Sequence, residues 1–101
     1  MLNGKDPTPF FEKWRGAQAK IWDYTVSHNV LTIRLNFTEK RGSLYIYCGD
    51  TDFIQGPTIW ANSCLEIVKT EAGRCTLKDR VAGIEIRAGV VGVEEDTETT
   101  S

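Results

Sequence analysis

Polar and apolar residues alternate more regularly over residues 20–48 than anywhere else in the chain. Trp22, Tyr24 and Val26 alternate with polar residues before His28 and Asn29, and Leu31, Ile33 and Leu35 do so after them. Such alternation marks a half-buried strand. A two-residue turn at His28 and Asn29 puts Val26 opposite Leu31, Tyr24 opposite Ile33 and Trp22 opposite Leu35. The other face then pairs Thr25 with Thr32 and Asp23 with Arg34. Apolar meets apolar and opposite charges meet, and a one-residue slip destroys both patterns.

The next turn signal is Glu39 to Gly42, with Gly42 suited to the positive-φ position of a four-residue turn. It predicts a third strand over 43–49. Phe37 then faces Leu44, Leu35 faces Ile46 and Ile33 faces Cys48. On the opposite face Arg34 meets Tyr47 and Asn36 meets Tyr45. The result is a three-stranded meander with one apolar face and one mixed face. Asp23, Arg34 and Tyr47 form a row across the mixed face.

Periodicity elsewhere is weaker. Phe10, Trp14 and Ala17 fall at helical spacing, with Asp6 or Thr8 as cap and a proline following either, so a helix is predicted over about 7–19. Its aromatic stripe must dock on the sheet, because so short a helix is not stable alone. Short strand patterns recur near 53–60, 64–70, 75–78, 84–87 and 90–93. Gly56 and Pro57 interrupt the first, which suits a bend or an edge. Residues 94–101 contain no apolar side chain and four acids, and read as a disordered acidic tail.

The sum is a mainly β chain: one N-terminal helix, then about seven short antiparallel strands in a curled sheet, small barrel or sandwich. Residues 1–93 form one domain. A chain of 101 residues, 41% hydrophobic and 26% charged, is long enough for a core without staples. Net charge is −2, which argues against a dedicated nucleic-acid binder. No apolar run approaches a membrane span, and the first residues carry no secretory h-region. Three widely spaced cysteines fit a reduced, cytoplasmic setting.

Motifs for catalysis are thin. The single histidine, His28, falls at a hairpin tip, where His and Asn tolerate the left-handed region. Cys48, Cys64 and Cys75 lack metal-ligand spacing and read as structural thiols. Asp50 and Asp52 could flank a hard cation but equally build a turn. Residues 89–92 lack the lysine and helix of a phosphate loop. No cofactor or metal is expected, and the balance leans away from an enzyme; one built on dispersed carboxylates is the third alternative.

What remains is a small non-enzymatic binding module. Its candidate face is Asp23, Arg34, Tyr45 and Tyr47, unless the helix aromatics cover that face. The expected partner is a protein, a second copy included, with a homodimer pairing at Phe53 and Ile54 or at Val90 and Val91. The alternative is a small-molecule binder with its ligand inside a barrel-like sheet, the pocket lined by Trp22, Tyr24 and Trp60.

Overall fold

A computed structural model of the protein describes residues 7–70 and 73–96. One short helix, α1 (Thr8–Lys13), precedes nine strands: β1 (Gln18–Thr25), β2 (Val30–Asn36), β3 (Ser43–Gly49), β4 (Phe53–Gln55), β5 (Ile59–Trp60), β6 (Glu66–Lys69), β7 (Cys75–Asp79), β8 (Ile84–Ala88) and β9 (Val90–Asp96). They form two antiparallel sheets, ordered β5-β1-β2-β3-β9 and β4-β8-β7-β6. The architecture is the curled, sandwich-like one that the strand spacing predicts, and the sheets do not close into a barrel.

The inner faces meet in one core. Leu31, Ile33, Leu35, Leu44, Ile46 and Cys48 come from the first sheet, and Leu77, Ile84, Ile86 and Ala88 from the second. Alternation within β2 and β3 therefore assigns the buried face correctly.

The registers differ from the expected ones. In the β1–β2 hairpin the loop holds four residues, not two. Thr25 pairs with Val30, and Asn29 takes a positive φ of 52°. Near the loop Tyr24 faces Leu31 and Asp23 faces Thr32; a β-bulge at Trp22 then shifts the pairing, so Ile21 faces Ile33 and Lys20 faces Arg34. Two residues on β1 oppose one gap on β2, which reverses the phase of β1. Trp22, expected inside, is half exposed, while Ala19 and Ile21 occupy the inward positions. The β2–β3 pairing is displaced by two residues: Arg34 faces Tyr45, Thr32 faces Tyr47 and Ile33 faces Ile46. An even shift preserves faces, so the core survives while every row partner changes.

Helix α1 is shorter than predicted. Pro7 stands at the N-cap without a side-chain cap bond, and Asp6 lies outside the described residues. Gly16 ends the helical region at φ 92°, a left-handed conformation that glycine adopts without strain. Its N–H donates to Ser63 O at 2.8 Å, and Ala17 O accepts from Ser63 N–H at 3.0 Å. Residues 18 and 19, expected in the helix, instead pair with Asn36 and Leu35. Phe11 and Trp14 join the core. The Trp14 indole donates to Glu95 at 2.9 Å and stacks on Phe37, with centroids 5.6 Å apart. The helix packs against β6 on the core side, leaving the mixed face of β1–β3 uncovered.

The acidic tail is also corrected. Residues 94–96 continue edge strand β9, pairing with Tyr45, Leu44 and Ser43. Ladder bonds use backbone groups, so an edge strand needs no apolar side chains to extend. Residues 97–101 lie outside the described region.

Candidate binding face

The outer face of the five-stranded sheet gathers the chemistry that the mixed face promised. One row across it runs Ile59, Lys20, Arg34, Tyr45, Glu94; the next runs Asp23, Thr32, Tyr47, Gly92. The bulge inserts Trp22 between them. Arg34 lies over the Trp22 ring, its Cζ 4.9 Å from the centroid. Its Nε donates to Ser43 Oγ at 2.9 Å. Trp22 meets Tyr45 edge-on at 6.5 Å, and Tyr45 stacks on Tyr47 at 6.5 Å. Three rings and a guanidinium thus share one surface.

The electrostatics of that surface are uneven. Lys20 and Arg34 are directly opposite each other, an arrangement that costs stability. Among the described residues neither forms an ion pair. The acid on this row is Glu94, at the far edge, and it accepts a hydrogen bond from the Tyr47 hydroxyl at 3.0 Å. Partial burial, followed by that bond, pushes the Tyr47 phenol up to about 12. Tyr47 therefore stays a neutral donor near neutral pH.

Beside the rings lies an open groove of about 450 Å³. Arg34, Lys40, Arg41, Ser43, Tyr45 and Asp96 line it. The Lys40 ammonium also rests 5.0 Å from the Phe37 ring centroid.

The fold brings Arg34, Tyr45 and Tyr47 together and keeps Asp23 on the same face. Asp23 faces Thr32, however, and accepts from the Thr25 hydroxyl at 3.5 Å, so the expected Asp23–Arg34 pair does not form. The expected pocket of Trp22, Tyr24 and Trp60 does not assemble. Trp60 is buried on the core side, with its indole donating to Asp79 at 2.9 Å. Trp22 lies on the outer face, and Tyr24 is exposed near the hairpin loop, its hydroxyl donating to Asn29 at 3.1 Å.

Other candidates have structural employment. Asp50 and Asp52 both pair with Arg74, at 3.0 and 3.2 Å. That clamp sits where β3 and β9 bend into β4 and β8. Gly89 passes so close beneath that a Cβ there would lie 3.0 Å from the Asp50 carboxylate and 3.1 Å from its Cβ. Cys48 is buried, and burial, with Cys75 nearby, raises its thiol to about 12, far from a reactive thiolate. Cys75 is buried, Cys64 is exposed, and His28 is exposed in the hairpin loop. Among the described residues no three His, Cys, Asp or Glu side chains gather as for a metal, and no helix is long and apolar enough to cross a membrane.

Sequence reasoning missed Asp79. It is fully buried, and its carboxylate accepts from Trp60 at 2.9 Å, Cys64 N–H at 2.8 Å and Ala82 N–H at 3.2 Å. A lone acid between Lys78 and Arg80 carries no local signal of burial. Lys20 and Trp22 were also missed as outer-face residues, because the alternation gives no sign of the bulge. The chain matches no protein-family model, no curated protein and no solved structure.

Proposed function

We propose that this chain is a small non-enzymatic binding module whose partner docks on the outer face of the β5-β1-β2-β3-β9 sheet. The observation that carries this is the Lys20–Arg34 opposition, with Arg34 laid on Trp22 and flanked by Tyr45. Folding alone gains nothing from facing two cations across a ladder, and rule-breaking of this kind concentrates at functional surfaces. Arg, Trp and Tyr are also the side chains that dominate binding hot spots. The bulge supports the same reading, since bulges re-aim side chains beside sites. The inner faces of the two sheets bury their described side chains together in one core, which favours a site on the outer face over an interior ligand. Three free thiols suit a cytoplasmic setting.

The test is quantitative affinity capture with the full chain, Arg34→Ala, Tyr45→Ala, and Lys78→Ala on the other sheet. The first two should lose the partner while staying within about 1 kcal/mol of wild-type stability, as surface changes do. Lys78→Ala should keep it. Equal capture by all four proteins would overturn the assignment.

A second reading, self-pairing, has its own observation. The expected dimer segments lie on edge strands β4 and β9, where Ile54 and Val90 are exposed. Sedimentation at micromolar protein giving a clean monomer mass would remove it.

A further inference from the structure

We infer that the groove beside Tyr45 binds a mononucleotide, with phosphate against Arg34 and Lys40 and the base on the tyrosine ring. This rests on the outer face being the binding surface and names the ligand chemistry. The groove's volume of about 450 Å³ falls within the usual range for small-ligand sites. Among the described residues Arg34 and Lys40, with Arg41 beside them, line it against one carboxylate, Asp96, so its field favours an anion. The Arg34 guanidinium is oriented in advance by Trp22 and by Ser43, and a fixed planar donor suits phosphate or carboxylate. Tyr45 belongs both to the groove wall and to the ring row, in contact with Trp22 and Tyr47. An anion site adjoining an aromatic platform matches a ligand with a phosphate at one end and a flat base at the other.

Charge also limits the ligand to a short one. Strand β9 bounds the face with Glu94 and Asp96, and the chain is net acidic. A longer polyanion would carry its next phosphates past Asp96 toward Glu94, whereas one nucleotide meets Arg34 and Lys40 with Asp96 as the one facing acid among the described lining residues.

The experiment is an amide NMR titration of the full chain. The probes are adenosine 5′-monophosphate, adenosine, inorganic phosphate and a short single-stranded RNA. Shifts should centre on residues 34 and 40–45. The nucleotide should bind about tenfold tighter than either adenosine or phosphate, since each lacks one of the two contacts. Arg34→Gln and Lys40→Gln should each weaken it several-fold, and Lys78→Gln should not. Lys40 lies in a loop, so its variant reports even if the Arg34 variant unfolds. Phosphate binding as well as the nucleotide, or RNA binding more than about tenfold tighter than it, overturns the mononucleotide. Silence at millimolar nucleotide overturns it too. If Arg34→Ala still abolishes partner capture in that case, the face stands without this ligand; if capture is unchanged as well, both readings fall.

Discussion

The two sheets turn opposite kinds of surface to solvent, although each carries an arginine laid on an aromatic ring. On the four-stranded sheet, Arg87 lies 4.6 Å from the Phe53 centroid and pairs with Glu85 at 3.3 Å. The row beside it runs Gln55, Glu85, Lys78, Glu66, so acid and base alternate across strands. Arg80 adds a further pair with Glu66 at 2.7 Å. On the five-stranded sheet, Arg34 lies 4.9 Å from Trp22 but faces Lys20. One surface settles its charges internally, and the other leaves them for something else to settle. A cation–ring contact alone therefore says little about binding. What distinguishes the two faces is whether an acid reaches the arginine: Glu85, two residues away on the same strand, pairs with Arg87, whereas among the described residues no acid pairs with Arg34.

The largest effect should come from the side of β2 that both readings require to be buried. Leu35 is 1% exposed, and Leu35→Ala should cost about 2–5 kcal/mol in a denaturant melt. The adjacent Arg34→Ala should stay within about 1 kcal/mol. Equal costs would mean that β2 has no outer face, and the comparison would collapse.

Next is the tie between edge strand β5 and the end of β7. Asp79→Ala strands the Trp60 indole N–H and the Cys64 N–H. Leaving buried donors unmade should cost roughly 1–3 kcal/mol. A thermal melt unchanged by the substitution would show that β5 is held by other contacts.

Charge reversal sharpens the contrast most directly, with effects of opposite sign. Lys20→Glu should stabilise by about 0.2–1 kcal/mol, because it gives Arg34 an acid across the ladder. Lys78→Glu should destabilise by about the same amount, because it faces Glu85 and Glu66. Urea melts of both at low salt would check this, and two changes of equal sign would break the distinction.

The smallest effects are in the pH dependence. Glu95 is held below the usual carboxylate range, first by Lys13 at 2.7 Å and then by the Trp14 indole. Its contribution is present above the unfolded carboxyl pKa and is lost as pH falls through the lower folded value. Glu95→Gln should therefore flatten the acid limb of the stability curve. Tyr47 behaves oppositely: its phenol rises from 10.0 to about 12 on folding, so the unfolded chain deprotonates first and stability declines between those values. Tyr47→Phe should soften that alkaline decline, measured by melting temperature against pH.

Alternation by itself determined that Leu31, Ile33, Leu35, Leu44, Ile46 and Cys48 face inward, and that Arg34, Tyr45 and Tyr47 share the other side. These assignments survived a register error of two residues, because side-chain direction depends only on parity. Gly16 and the turn residues likewise acted locally, through φ. Tertiary structure decided the rest. Whether Asp23 or Lys20 meets Arg34 depends on the loop length and on the bulge at Trp22, neither of which alternation reports. Asp79 became a buried anchor only when Trp60 and Cys64 converged on it from another segment, adding to the local turn bond from Ala82. Residues 94–96 became a strand because β3 offered an open ladder of backbone groups, a partner that no local pattern in an acidic segment could announce.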